Sequence, residues 1–124
     1  NLEVFKKQAL NFYKLNEFML IKFKENGVNI DDVYKCFCHP DYSQGSCECR
    51  KPNPGMIMHK INELGLKPSE CAMVGDRLYT DMEMAIQAGC VSVLVLSGEA
   101  TPADLEESGK IVDVIVNSVD SLLR

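Results

Sequence analysis

Four of the six cysteines in this 124-residue chain lie in one short segment, at Cys36, Cys38, Cys47 and Cys49. They form two Cys-x-Cys pairs with eight residues between them. Because the loop is short, gathering its four thiols around one ion costs little chain entropy. Zinc accepts four thiolates in a tetrahedral shell, and a closed shell of this kind is structural. The spacing therefore predicts a structural zinc site on the loop 36–49.

Disulfide bonds and unliganded thiols are the alternative interpretations of this loop. Disulfides are typical of small secreted scaffolds, and the remainder of the chain does not resemble one. The regular spacing favours a metal site over both alternatives. His39 is a further candidate ligand in place of Cys38, although the symmetry of the two Cys-x-Cys pairs favours the thiol.

Two cations and two carboxylates form a second set of side chains suited to chemistry. Arg50 and Lys51 follow the last cysteine of the loop, Asp76 follows a short apolar run, and Asp81 lies five residues further on. An arginine suits bidentate recognition of a phosphate. A carboxylate at a strand end suits Mg²⁺, which binds through one or two carboxylates, waters and a phosphate. Together they predict a site that holds a phosphoryl group.

Each member of this set also has a simpler interpretation when it is taken alone. Most lysines are solvated surface charges, so Lys51 by its type indicates no site. Asp81 lies near the start of a predicted helix, where a carboxylate complements the helix dipole. The combination of a cation pair beside the cysteine loop with an acidic pair at a strand end favours the phosphate site.

Helices are predicted from apolar periodicity and from capping residues. An apolar stripe with a repeat of three to four residues predicts a helix from Leu2 to Asn26, ended by Gly27. Asn53 is suited to cap the next helix, with Pro54 at its first position. The pattern Thr80-x-x-Glu83 is a capping box. The predicted helices cover 2–26, 54–64, 80–88 and about 101–109, with a helical turn at 119–123.

Short apolar runs bounded by polar residues predict the strands. They cover 33–35, 71–74, 91–96 and 112–116. The run Val91–Leu96 is almost continuously apolar, as in parallel sheets that are covered on both faces. Strands and helices alternate from Val33 onward, so the fold class is α/β with a mainly parallel, Rossmann-like sheet. Asp76 then lies beyond the carboxyl end of a strand, where such sheets bind ligands.

Composition narrows the class of protein. Hydrophobic residues make up 46% and charged residues 25% of the chain, and its length suits one domain, residues 1–124. The net charge of −5 argues against nucleic-acid binding. No apolar run approaches a membrane span and no signal peptide is recognisable, so we expect a cytoplasmic protein without membrane contact. Cys71 and Cys90 flank apolar runs and are predicted to be buried thiols.

The motifs resemble those of a known superfamily. Lys51-Pro52 followed by a helix, then Val74-Gly75-Asp76-Arg77-Leu78-Tyr79-Thr80-Asp81 and Ala88-Gly89, resembles the third and fourth motifs of haloacid dehalogenase (HAD) phosphatases. The cysteine loop with its Arg-Lys-Pro continuation resembles the zinc loop of the heptose 1,7-bisphosphate phosphatase and histidinol-phosphatase group. In that group the position of Cys38 is usually histidine. The stretch from Gly75 to Thr101 also resembles the sugar- and nitrophenyl-phosphatase branch.

The resemblance implies a Mg²⁺-dependent phosphomonoesterase that works through an aspartyl-phosphate and acts on a small phosphorylated sugar or a related metabolite. By position, Lys51 would steady the nucleophile and the phosphate, and Asp76 would bind Mg²⁺. Asp81 would support that site, and Arg50 would contact the substrate. The four cysteines of the loop would hold a structural Zn²⁺.

One motif of the superfamily is missing from these residues. Its nucleophile and acid/base lie in an Asp-x-Asp motif after the first strand, and no Asp-x-Asp occurs in this chain. The chain corresponds to the second half of such an enzyme, and we expect it to be inactive alone. An upstream half or a partner chain would complete the sheet, whose unpaired edges invite pairing. The alternative is a non-catalytic, zinc-braced module that binds a phosphorylated ligand or a partner chain.

Overall fold

A computed structural model describes residues 2–38 and 47–123. The chain divides into two compact units, residues 1–34 and 35–124. Helix α1, Leu2–Glu25, makes up most of the first unit. Gly27 follows it with a φ of 78°, a left-handed conformation that suits glycine. The long helix and its glycine stop, both predicted from the sequence, are confirmed.

A parallel sheet organises the second unit. Its strands are β1 (Ala72–Gly75), β2 (Val91–Val95) and β3 (Val114–Val116). They are paired in the order β1-β2-β3, and both pairings are parallel. The helices are α2 (Gly55–Leu64), α3 (Glu83–Ala88) and α4 (Pro102–Ser108), with 3₁₀ turns at Pro68–Glu70 and Val119–Leu123. The predicted α/β class with a mainly parallel sheet is confirmed.

Strand β2 lies in the middle of this sheet. Successive residues of a strand point to opposite faces, and Ser92, Val93, Leu94 and Val95 are all buried. Both faces are therefore covered, as the continuous apolar run predicts. The buried hydroxyl of Ser92 donates a 2.8 Å hydrogen bond to the Asp113 carboxylate, just before β3. This contact satisfies the one polar side chain within β2.

The predicted strand at Val33–Lys35 is wrong. The backbone there has neither strand nor helix conformation, although the segment does lead into the cysteine loop. A strand is stabilised by the hydrogen-bonded ladder to its neighbour. Among the residues that the structure describes, the sheet contains β1, β2 and β3 alone. Three residues with suitable side chains do not form a strand without such a partner.

Two helix starts also differ from the prediction. Helix α2 begins at Gly55, because the Asn53 side chain donates to the carbonyl of Cys47 at 2.7 Å instead of capping the helix. Before α3 the chain makes a π-helical turn, Leu78–Met82. Thr80 lies inside this turn and caps nothing, so the predicted capping box is wrong. A residue nearer the end of the turn, Asp81, accepts a hydrogen bond from the N–H of Arg77.

The isolated cysteines have different environments. Cys90 is buried, as predicted, and its burial raises the pKa of the thiol above the ordinary value. Cys71 is only partly buried, contrary to the prediction, and packs against the core cluster of Ile61, Ala88 and Cys90. Its thiol contacts the carbonyl of Lys67. Within residues 2–38 and 47–123, no helix has both the length and the apolar character that a membrane span requires.

Candidate functional site

Asp76 lies at the carboxyl end of β1, at the edge of the sheet where α/β proteins bind ligands. Its Oδ2 accepts a 2.9 Å hydrogen bond from the N–H of Glu99. Its main-chain carbonyl accepts a second one, of 3.0 Å, from the N–H of Ala100. Within the described part of the chain, Oδ1 of Asp76 accepts no hydrogen bond. One carboxylate oxygen is therefore held in place and the other is available to a ligand.

Asp81 is the buried carboxylate of the site, with 4% of its surface exposed. Its Oδ1 lies 2.7 Å from Nζ of Lys51, and its Oδ2 accepts a 3.2 Å hydrogen bond from the N–H of Arg77. Both oxygens are thus engaged. A buried carboxylate needs such partners, because an unpaired charge away from water is strongly disfavoured. These contacts suit the supporting role that the sequence predicts for Asp81.

Gly75, the last residue of β1, makes room for Asp81. A Cβ at this position would lie 2.3 Å from Cβ of Asp81, far inside van der Waals contact. The φ of Gly75 is not positive, so backbone conformation alone would allow other residues. Glycine is needed here because the carboxylate side chain packs directly against the strand end.

Lys51 connects the sheet edge to the cysteine loop. Its side chain is 42% exposed even though Nζ pairs with Asp81. The Lys51 side chain is therefore accessible to a ligand while it keeps its carboxylate partner. The pair is separated by 30 residues in sequence, and only the fold brings them together. Asp76 joins the same site, since Arg77, the residue after it, donates its N–H to Asp81.

The four thiols of the loop also come together. The sulfur atoms of Cys36, Cys38, Cys47 and Cys49 all lie within 4.8 Å of one another. Zn–S bonds of about 2.3 Å in a tetrahedron separate the sulfurs by about 3.8 Å. The Cys36–Cys47 and Cys38–Cys49 sulfur pairs are 3.5 and 3.9 Å apart, while the Cys47–Cys49 and Cys36–Cys49 pairs are closer, at 3.0 and 2.9 Å. The donor set therefore fits a zinc ion, and the closer sulfur pairs would have to separate to reach the tetrahedral spacing.

Disulfide formation uses the same sulfurs. Cys38 and Cys47 are joined as a disulfide in the structure, with their Cα atoms 6.4 Å apart, and Cys36 and Cys49 are free thiols. The hydrogen bond from Cys49 to Cys36 raises the pKa of the Cys49 thiol. A four-thiolate zinc site requires Cys38 and Cys47 to be reduced, so the two states exclude each other. The alternative ligand His39 lies outside the described residues.

Hydrogen bonds attach the cysteine loop to the segment that carries Lys51. The Arg50 guanidinium donates to the carbonyl of Cys38 at 2.5 Å. The N–H of Gly55 donates to the carbonyl of Glu48 at 3.0 Å, and a Cβ on Gly55 would lie 2.3 Å from that oxygen. The first turn of α2 and the loop are therefore in direct contact. Arg50 contacts the loop in this way, and its role toward a substrate stays a prediction.

An open groove is lined in part by residues that neighbour Asp76 and Asp81 in the chain, while the two carboxylates themselves are not part of its lining. Its lining includes Arg77, Tyr79, Thr80, Glu99 and Asp104. Arg77 follows Asp76 in the chain, Glu99 donates its N–H to Asp76, and the side chains of Arg77 and Glu99 form an ion pair of 2.5 Å. Neither this groove nor the contacts of Gly98 and Glu99 with Asp76 were predicted from the sequence. In the sequence, the only indication of these contacts was Gly98, a glycine in the turn after β2.

Mg²⁺ fits the carboxylate set. The ion usually takes one or two carboxylates and completes its shell with waters and phosphate oxygens. The uncommitted Oδ1 of Asp76 provides such a ligand, while both oxygens of Asp81 already have partners. Asp76 is therefore the direct ligand candidate in this pair.

Comparison with known proteins identifies similar sequences. The chain is 37% identical over 116 residues to the D-glycero-beta-D-manno-heptose-1,7-bisphosphate 7-phosphatase of Yersinia pestis, covering 90% of this chain and 60% of the relative. The chain thus spans about 60% of the length of the curated relatives it matches.

Two solved structures extend the comparison. The D,D-heptose 1,7-bisphosphate phosphatase of B. bronchiseptica, complexed with magnesium and phosphate, matches with a TM-score of 0.76 and 26% identity, over 90% of this chain and 63% of that one. A 4-nitrophenylphosphatase from Thermotoga maritima matches with a TM-score of 0.56 and 42% identity, over 60% and 28%. The profile of the HAD-hydrolase-like family matches residues 48–122. The chain therefore belongs to the HAD-hydrolase-like family.

Proposed function

We propose that the protein containing this chain is a Mg²⁺-dependent phosphomonoesterase that acts on a small phosphorylated sugar of the heptose-bisphosphate type. The observation that carries the proposal is the arrangement at the carboxyl end of β1. There, Oδ1 of Asp76 accepts no hydrogen bond from the described residues, and the buried Asp81 holds the ammonium group of Lys51. The names of the relatives, heptose bisphosphate phosphatases, support the substrate class.

In this proposal, Asp76 would hold the metal ion through Oδ1. A bound Mg²⁺ would supply positive charge close to the phosphoryl oxygens. Lys51 adds a second cation, which Asp81 holds in a fixed position. Such preorganised charge is effective because it needs no rearrangement during the reaction. The groove lined by Arg77, Tyr79 and Glu99 would accommodate the sugar, and Arg50 would contact a second phosphate.

The nucleophile is proposed to come from outside these 124 residues, since they contain no Asp-x-Asp motif. An upstream segment of the same protein, or a partner chain, would supply it. The backbone of β1 is suited to pair with a strand from such a segment. The carbonyl of Cys71 bonds to the N–H of Val91 on the β2 side, so by alternation Ala72 and Val74 direct their main-chain groups away from β2.

The test is release of inorganic phosphate by the longest native form of the protein. Heptose 1,7-bisphosphate, a sugar monophosphate and 4-nitrophenyl phosphate are compared with and without Mg²⁺. We expect Mg²⁺-dependent turnover, with the bisphosphate as the preferred substrate. Binding of phosphate without turnover of any of these three substrates would contradict the proposed phosphatase activity and favour a non-catalytic binding module.

The thiol cluster is proposed to hold one structural zinc ion. Protein purified without added metal under reducing conditions is expected to contain about one zinc per chain by elemental analysis. Cys36→Ser removes a ligand from the shell and should lower this content severalfold, because thiolates are the preferred donors in such sites. Cys71→Ser is the matched control, since Cys71 is a free cysteine that is not a member of the cluster.

A zinc-free protein in which mass spectrometry finds the Cys38–Cys47 bond intact would contradict the zinc proposal. A Cys36→Ser variant with full zinc content would contradict the ligand assignment alone. Neither result would bear on Asp76 and Lys51, which are tested separately.

A further inference from the structure

The turn after β2 contacts Asp76 at three points. Gly98 packs against its side chain, the N–H of Glu99 donates to Oδ2 at 2.9 Å, and the N–H of Ala100 donates to the main-chain carbonyl at 3.0 Å. Gly98 and Asp76 are far apart in sequence, so only the parallel pairing of β1 and β2 brings them together. The carboxylate is thus held by a second strand end as well as by its own.

Gly98 is needed for space and not for backbone freedom. Its φ does not lie in the left-handed region, unlike that of four other glycines among the described residues. A Cβ at position 98 would lie 2.2 Å from Oδ2 and 2.4 Å from Cβ of Asp76. Because Cβ is attached directly to the backbone, rotation of the Asp76 carboxylate cannot relieve the overlap. An alanine at this position must displace the turn or Asp76.

The turn cannot move away easily. Ala100 is 7% exposed and belongs to the core cluster that contains Leu78, Met82 and Leu94. Close-packed cores resist displacement of their members. The residue two positions after Gly98 is therefore fixed, and a side chain at 98 would push on Asp76 instead.

We infer that Gly98 and the N–H of Glu99 are positioning elements for the Asp76 carboxylate, which they hold with Oδ2 bound and Oδ1 turned to the metal. This inference rests on the proposed role of Asp76 as a Mg²⁺ ligand. Groups that orient a metal ligand typically change metal affinity by about 10- to 100-fold when they are removed. Their loss should therefore weaken the binding of Mg²⁺.

Gly98→Ala in the longest native protein tests the steric part. The Mg²⁺ concentration for half-maximal phosphatase activity is measured, and binding of Mn²⁺ alone is followed by electron paramagnetic resonance without substrate. We expect both to weaken by at least about tenfold, with activity recovering as Mg²⁺ is raised. Ser97→Ala, an exposed position in the same turn, is the control and should match the unmodified protein.

Glu99→Pro and Glu99→Ala form a second, independent pair. Both remove the Glu99 side chain and its ion pair with Arg77, but only proline removes the N–H donor. We expect the Mg²⁺ requirement to rise clearly more for proline than for alanine. This comparison decides the question if Gly98→Ala fails to fold, as judged by circular dichroism.

The outcomes separate the inference from the proposed function. If the unmodified protein neither binds Mn²⁺ nor releases phosphate, the proposed function is wrong. If it does both and Gly98→Ala has the same metal requirement, the positioning role is wrong while the function stands. Loss of activity that excess Mg²⁺ does not restore, with unchanged Mn²⁺ binding, would also overturn the inference.

Discussion

Asp76→Asn is expected to reduce Mg²⁺-dependent phosphate release by at least about a hundredfold, the size of effect found when a preorganised electrostatic group is removed from an active site. An amide oxygen is a weaker, uncharged ligand for a hard cation such as Mg²⁺. The change keeps the shape of the side chain, and the Asn carbonyl can still accept the hydrogen bond from Glu99. The loss should therefore be chemical and not structural.

The measurement is the rate of phosphate release at several Mg²⁺ concentrations, together with thermal unfolding. Asp120→Asn is a charge-matched control, because Asp120 lies on the terminal 3₁₀ turn and is not one of the residues of the site. We expect it to leave the rate unchanged. Near-normal activity of Asp76→Asn would contradict the assignment of Asp76 as the metal ligand.

Lys51→Ala is expected to have the second large effect, a loss of activity of roughly a hundredfold at unchanged zinc content. The ammonium group of Lys51 is the one cation paired with Asp81 in the described residues, at 2.7 Å. Its removal takes away a charge partner for the phosphate. The cysteines bind zinc through their own sulfurs, so elemental analysis should find the metal retained.

Stability should fall as well, since Asp81 is buried and would lose its cation. Leaving a buried polar group without its partner costs about 1–3 kcal/mol, and the exposure of Lys51 favours the lower part of this range. Adding Asp81→Asn to Lys51→Ala removes the stranded charge and should recover part of the lost unfolding free energy. Full activity of Lys51→Ala, or additive stability losses in the double variant, would contradict the pairing role.

Local spacing was sufficient to predict most of the secondary structure of the chain. Helix α1, strand β2 and the capped helix α4 each follow from residues that are close in sequence. Thr101 and Asp104 form a capping box at the start of α4, and Gly109 ends it with a φ of 64°. The errors concern the strand at 33–35, which needed a partner, and the two helix starts, where side chains bonded elsewhere.

The cysteine cluster was also predictable from the sequence, because four thiols on one short loop can meet at a small cost in chain entropy. The sequence also indicated Asp76, since a carboxylate directly after an apolar run lies at a strand end in any α/β fold. Both inferences concern residues that are close in sequence, so the connectivity of the chain already keeps them near one another. They depend little on how the strands pair in the sheet.

The assembly of the site depended on tertiary structure. The pairing of Lys51 with Asp81, the contact of Gly98 with Asp76 and the attachment of the cysteine loop to α2 all join segments separated by other elements. Such contacts follow from the parallel register of β1 and β2 and from core packing around Ala100. The type of a residue and its neighbours in sequence do not determine that register. The sequence alone therefore determined which groups were available for the chemistry, and the fold decided which of them meet.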